Sequence, residues 1–105
     1  MVLIQTKGFE VIGNKQKEDF DKIVNDGLLK IQRKLKTINS LNIHLKEYSK
    51  EGRVKYSIHA HVTDSFGTIE ADAADWDFNR TLHKVFTKLQ SEIEHKFHLN
   101  NQNKR

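Results

Sequence analysis

The feature that most constrains this chain is a change of hydrophobic period at Asp75-Trp76-Asp77. Before it, Ile69, Ala71 and Ala73 alternate with Glu70 and Asp72, the two-residue repeat of a strand with one buried face. Beyond it, from Phe78, the apolar residues Leu82, Val85, Phe86, Leu89, Ile93 and Phe97 fall at helical spacing on one side of a helix. Asp77 suits the N-cap, where a carboxylate accepts orphan backbone N–H groups and meets the positive end of the helix dipole. The opposite side of this helix carries Arg80, Lys84 and Lys88, four apart, then Ser91 and His95. A strand and a helix, each with one apolar face, are satisfied together when those faces pack on each other.

The rest of the chain repeats the theme. Val2 to Val11 is β-prone, and Gly8 is expected to divide it into a strand and an extended segment. Gly13-Asn14 supplies a turn with Asn14 as the expected N-cap of a first helix, about Lys15 to Lys36. Its stripe is Phe20, Ile23, Val24, Gly27, Leu28, Ile31 and Leu35, and Leu29 points away from that stripe. Leu41, Ile43 and Leu45, then Val54, Tyr56, Ile58, Ala60 and Val62, mark two strands joined by a Ser49–Arg53 hairpin loop. Asp64-Ser65-Phe66-Gly67 turns the chain into the strand described first. The order β-α-β-β-β-α predicts an α+β fold. It has a four-stranded mixed sheet, its first strand parallel to the second, with both helices on one face and water on the other.

At 105 residues the chain makes one domain, expected over 1–99, with a disordered polar tail over 100–105. It has no cysteine, which excludes disulfides and thiolate chemistry. No apolar run reaches the roughly 20 residues that span a bilayer, so no membrane partner and a cytoplasmic location are expected. Net charge is +4 and unevenly spread, with 12 of the 18 basic side chains between Lys7 and Lys55 and an acidic stretch at Asp64–Asp77. A polarised charge implies a basic surface with a definite place on the fold. The last ten residues of the first helix hold Lys30, Arg33, Lys34 and Lys36 and no acid. Any one of these lysines is explained as a solvated helix end with good dipole placement, but together with the cationic line of the second helix they favour anion binding.

No nucleophile elbow, phosphate-binding glycine loop or helical zinc pair is present, so no enzyme activity, cofactor or small-molecule substrate is expected. One polar group needs weighing. If Thr63 pairs with Thr68, His61 faces Glu70 and His59 faces Asp72, with His44 on the neighbouring strand. His59, His61, Glu70 and Asp72 have the donor chemistry of a metal site. An open, solvated face offers no enclosure, and cross-strand imidazole–carboxylate pairs explain the pattern, so no tightly held metal is expected. Trp76, the only tryptophan, is expected to pack over the start of the second helix.

The element order, Ile38-Asn39-Ser40-Leu41, Ile69-Glu70-Ala71-Asp72-Ala73, the aspartate Asp77 and the pair Lys88-Leu89 resemble the short ribosome hibernation-promoting factors, the family of ribosome-associated inhibitor A. After the lysine–leucine pair, where the family carries arginine and lysines, this chain has Ser91, Glu92 and Glu94. The resemblance implies a fold like double-stranded RNA-binding domains. It also implies a partner, the small ribosomal subunit, whose mRNA and tRNA channel would be occupied so that translation stops during stress or dormancy. The rRNA contacts would come from Lys22, Lys30, Arg33, Lys34, Lys36, Arg80, Lys84, Lys88 and His95, with the protein bound as a monomer. Two alternatives stand beside it: a double-stranded RNA binder unconnected with ribosomes, and a metal-binding or protein-interaction module using the histidine and acid face.

Overall fold

The computed structural model describes residues 2–35, 38–65 and 67–103. The elements are β1 (Leu3–Lys7), α1 (Asn14–Lys34), β2 (Ile38–Lys50), β3 (Arg53–Asp64), β4 (Gly67–Asp75) and α2 (Phe78–Asn103). The sheet order is β1-β2-β3-β4, with β1 parallel to β2 and the other neighbours antiparallel. Thr63 pairs with Thr68, so His61 faces Glu70 and His59 faces Asp72 in the expected register.

Alternation decides which side of the sheet is covered. Leu41, Ile43, Leu45, Ile58, Ala60, Val62, Ile69, Ala71 and Ala73 are all buried beneath the helices. The helices answer with Val24 and Ile31 from α1 and Leu82, Val85, Phe86, Leu89 and Ile93 from α2. Phe20, Ile23 and Leu28 are half-buried at the margin of this core, and Leu29 is exposed as its spacing requires. The helix α2 lies over β4 and β3, and α1 docks beside it.

The two helices run parallel. Asn79 donates to Asp19 Oδ2 at 3.0 Å near their N-termini, and Lys34 pairs with Glu94 near their C-terminal ends. Between these points Gly27 of α1 admits the Phe86 ring, and a β-carbon there would sit 2.5 Å from Phe86 Cδ1. An aromatic cluster closes one end of the core: Phe9 lies 4.4 Å from Phe20, and Tyr56 lies 5.6 Å from Phe78, centroid to centroid.

Several boundaries differ from expectation. The segment after Gly8 is a 3₁₀ turn, Phe9–Val11, and not an extended run. Gly8 has φ +88°, and a β-carbon there would meet Leu45 O at 2.1 Å, so the chain turns at close approach to β2 and drops Phe9 and Ile12 into the core. The N-cap of α1 is Gly13 and not Asn14; the Gln16 side chain accepts the Gly13 N–H at 3.1 Å, half of a capping box. The helix ends at Lys34, where Leu35 turns extended and is buried; Lys36, Phe66 and the Phe97 side chain lie outside the described residues. At the other end α2 continues to Asn103, with no glycine or proline to stop it.

The β2–β3 hairpin outruns its neighbours. β1 pairs only as far as His44, and β4 only from Tyr56, which leaves 48–55 as a two-stranded ribbon. Its turn places Glu51 at φ 54° and Gly52 at φ 77°, the two left-handed residues of a type I′ turn whose twist suits a hairpin.

Replacing Gly27 by alanine tests the helix–helix contact. Alanine gains about 1 kcal/mol of helix propensity, but forcing a methyl against a buried ring costs about 1–3 kcal/mol. Urea unfolding should show a net loss of stability; a variant as stable as the parent would mean that the helices separate without cost.

Candidate nucleic-acid interface

The junction between β4 and α2 is held by one carboxylate. Asp75 Oδ1 accepts the Trp76 and Asp77 backbone N–H groups at 2.6 and 3.2 Å, while Lys84 Nζ donates to Oδ2 at 2.6 Å. Arg80 Nη1 stands 3.5 Å from Oδ1. The side chain is 9% exposed, and the bond from Lys84, reinforced by the two backbone donors, holds its pKa at about 2 against the partial burial that would raise it. Asp77 then caps the helix as expected, accepting the Arg80 N–H at 2.8 Å.

This arrangement divides the predicted cationic residues. Arg80, Lys84 and Lys88 do not form a uniformly free outer line. Lys84 and Arg80 turn toward Asp75, and Lys88 donates to the Asp72 carbonyl at 2.8 Å along the β4 edge. Lys34 is occupied by Glu94. Lys22, Lys30 and Arg33 on α1 and His95 on α2 are exposed, with no ion pair among the described residues. Lys36 lies outside the described residues. The free positive charge on the helices therefore sits chiefly on α1. Between β4 and α2, Arg80, His83, Lys84, Thr87 and Lys88 line a shallow groove.

The β2–β3 hairpin, with Lys46, Lys50, Arg53 and Lys55, is the second basic region and the fallback contact surface read from the sequence; its association with Trp76 was not read there. Trp76, at the helix start, is 42% exposed, with the Arg53 guanidinium 4.4 Å and Lys55 Nζ 5.7 Å from its ring. The signal was available, because the Thr63–Thr68 register extended past Asp75 brings Trp76 level with Lys55. The exposed Tyr48 pairs across the ribbon with Lys55, and Lys50 pairs with Arg53. Cations over aromatic faces, on a projecting hairpin, suit phosphate and base contact alike.

On the water-facing side of the sheet, Gln5, Asn42, His61 and Glu70 form one cross-strand row, and Lys7, His44, His59 and Asp72 the next. His59 Nε2 lies 3.4 Å from Glu70 Oε1, a diagonal pair, and Asn42 Nδ2 lies 3.4 Å from His61 Nε2. The Asp72 side chain is not part of the group drawn together by His59, His61 and Glu70. Among the described residues no helix is long and apolar enough to cross a membrane.

No protein-family model matches the sequence, and no curated protein matches it. Solved structures do match the fold. A ribosomal subunit interface protein from Coxiella burnetii superposes with a TM-score of 0.70 at 21% identity, covering 91% of this chain and 97% of that one. The N-terminal domain of Protein Y from Thermus thermophilus superposes with a TM-score of 0.62 at 14% identity, covering 90% of this chain and 98% of that one. At these identities the likeness establishes the shared fold across nearly the whole chain.

Titration should expose the role of Asp75. A carboxylate whose pKa falls from 3.8 to about 2 on folding contributes stability above pH 4 and loses it as pH drops through 2. Asp75→Asn should therefore lower the melting temperature at pH 7, and the gap to the parent should close between pH 4 and 2. A gap independent of pH would show that the charge of Asp75 does not matter.

Proposed function

We propose that this protein is a ribosome-associated translation inhibitor of the hibernation-promoting kind, binding the small subunit in its mRNA and tRNA channel and acting by occupancy, without catalysis. The observation that carries this reading is the match, over nearly the full length of both chains, to a ribosomal subunit interface protein. The sequence resemblance at Ile69–Ala73, Asp77 and Lys88-Leu89 points the same way. A cytoplasmic location follows from such a partner.

The distribution of charge indicates how the contact would be made. Phosphate contacts position a protein on RNA by shape and charge, without reading bases. Lys22, Lys30 and Arg33 offer such contacts at once, since no internal acid holds them. Lys34, Lys84 and Lys88 would first have to exchange their internal partners or share them. Lys50, Arg53 and Lys55 on the hairpin extend the cationic surface to a second element.

Purified protein should co-sediment with small subunits at low salt and inhibit cell-free translation. Folded protein that fails to bind at low salt would sink the proposal. Each phosphate neutralised adds to the steepness with which affinity falls as salt rises, about 0.9 logarithmic units on duplex DNA. Lys30→Gln with Arg33→Gln should cut both affinity and slope, the slope by roughly one unit for each phosphate no longer neutralised, and leave the melting temperature unchanged. Lys84→Gln should instead lower the melting temperature, because it leaves Asp75 without the amine that pairs with Oδ2.

A further inference from the structure

We propose that His59, His61 and Glu70 form an exchangeable site for a divalent transition-metal ion, Zn²⁺ by donor chemistry, on the sheet face opposite the helices. The inference does not rest on ribosome binding. His59 and His61 stand two residues apart on β3, so strand geometry sends both imidazoles to the same side, roughly 7 Å apart along the strand. Glu70 on β4 is directly across from His61 and diagonal to His59. One donor atom from each of the three lies within 4.8 Å of the others.

That spacing is close to what a metal requires. Zinc bonds of about 2.0–2.2 Å in a tetrahedron place donors roughly 3.3–3.5 Å apart. The edge from His59 Nε2 to Glu70 Oε1 is already 3.4 Å, longer than an ordinary hydrogen bond of this type. The remaining edges need only side-chain rotation, which these water-facing groups allow. Two imidazoles and one carboxylate suit Zn²⁺ and its transition-metal neighbours, whereas Mg²⁺ and Ca²⁺ favour sites built from oxygen.

The surroundings supply parts of a wider site. His44 on β2 pairs with His59 but is outside the group of three donors, so a water takes the fourth position. Asn42 stands against the His61 ring from the β2 side; with its amide turned so that Oδ1 accepts the Nε2–H, it would orient an imidazole that ligates through Nδ1. Gln5, Lys7, Asn42 and His44 line, with the three ligands, an open concavity of about 770 Å³. The openness argues against a tightly held structural ion and for one that comes and goes. The strands hold the ligands in register by backbone pairing alone, so the metal is not needed for folding.

Calorimetric titration of metal-free protein with ZnCl₂, repeated with MgCl₂, tests the proposal. The expected result is saturable binding of one equivalent of Zn²⁺ and none of Mg²⁺. His59→Ala and His61→Ala should each weaken Zn²⁺ binding by more than the ten- to hundredfold or so that losing an outer-shell partner costs. Glu70→Gln, which keeps the shape, should also weaken it, and His83→Ala on α2 should leave it unchanged. Circular-dichroism melts confirm that each variant is folded. Absence of saturable Zn²⁺ binding by the parent, or binding that survives His59→Ala and His61→Ala in folded protein, overturns the site.

Discussion

Burial of one sheet face under two parallel helices is the interaction on which the other features depend. Each Ile, Leu or Val side chain removed from water contributes about 1.5–3 kcal/mol, whereas an exposed ion pair contributes at most about 1 kcal/mol. The apolar alternation of β2, β3 and β4 therefore dictates which way every strand faces, and the polar residues take what remains. Histidines and acids are left on the uncovered side, while lysines and arginines are left on the outer helix surfaces and the hairpin. The surfaces offered to partners are consequences of this one partition.

Asp75 shows how a charged residue serves that partition without joining the core. It ends β4, and its carboxylate gathers the N–H groups of the next two residues and then the amine of Lys84, two turns into α2. The chain is thereby turned so that Phe78, Leu82 and Val85 meet the sheet. The same contact occupies the Lys84 amine and draws Arg80 toward Asp75, although the Arg80 side chain stays 65% exposed. Helix charge alone would overstate what α2 offers to a polyanion, and α1 and the hairpin gain weight accordingly.

Much of the fold was legible in the sequence because it rests on short-range periodicity. The alternation at Ile69–Ala73, the helical stripe from Phe78 and the Thr63–Thr68 pairing each follow from local spacing, and together they placed His61 opposite Glu70. What could not be read were contacts that depend on how elements dock. Lys34 meets Glu94 only because the helices run parallel in one particular register. Gly27 looks like a weak helix residue until Phe86 is placed against it. Trp76 lies between: strand parity carried it to the level of Lys55, but the habits of helix starts suggested a staple. Gly8 likewise hides its reason, the backbone of Leu45 on a different strand.

We propose that this fold meets ribosomal RNA through the cations of α1 and the hairpin, with the histidine face of the sheet turned away from the RNA. A reconstruction by electron cryomicroscopy of small subunits saturated with the protein addresses it directly. The expected result is density in the mRNA and tRNA channel, with Lys30, Arg33 and Arg53 against rRNA phosphates. Density at another site, or a bound protein whose open sheet face lies against the RNA while α1 faces solvent, would contradict it.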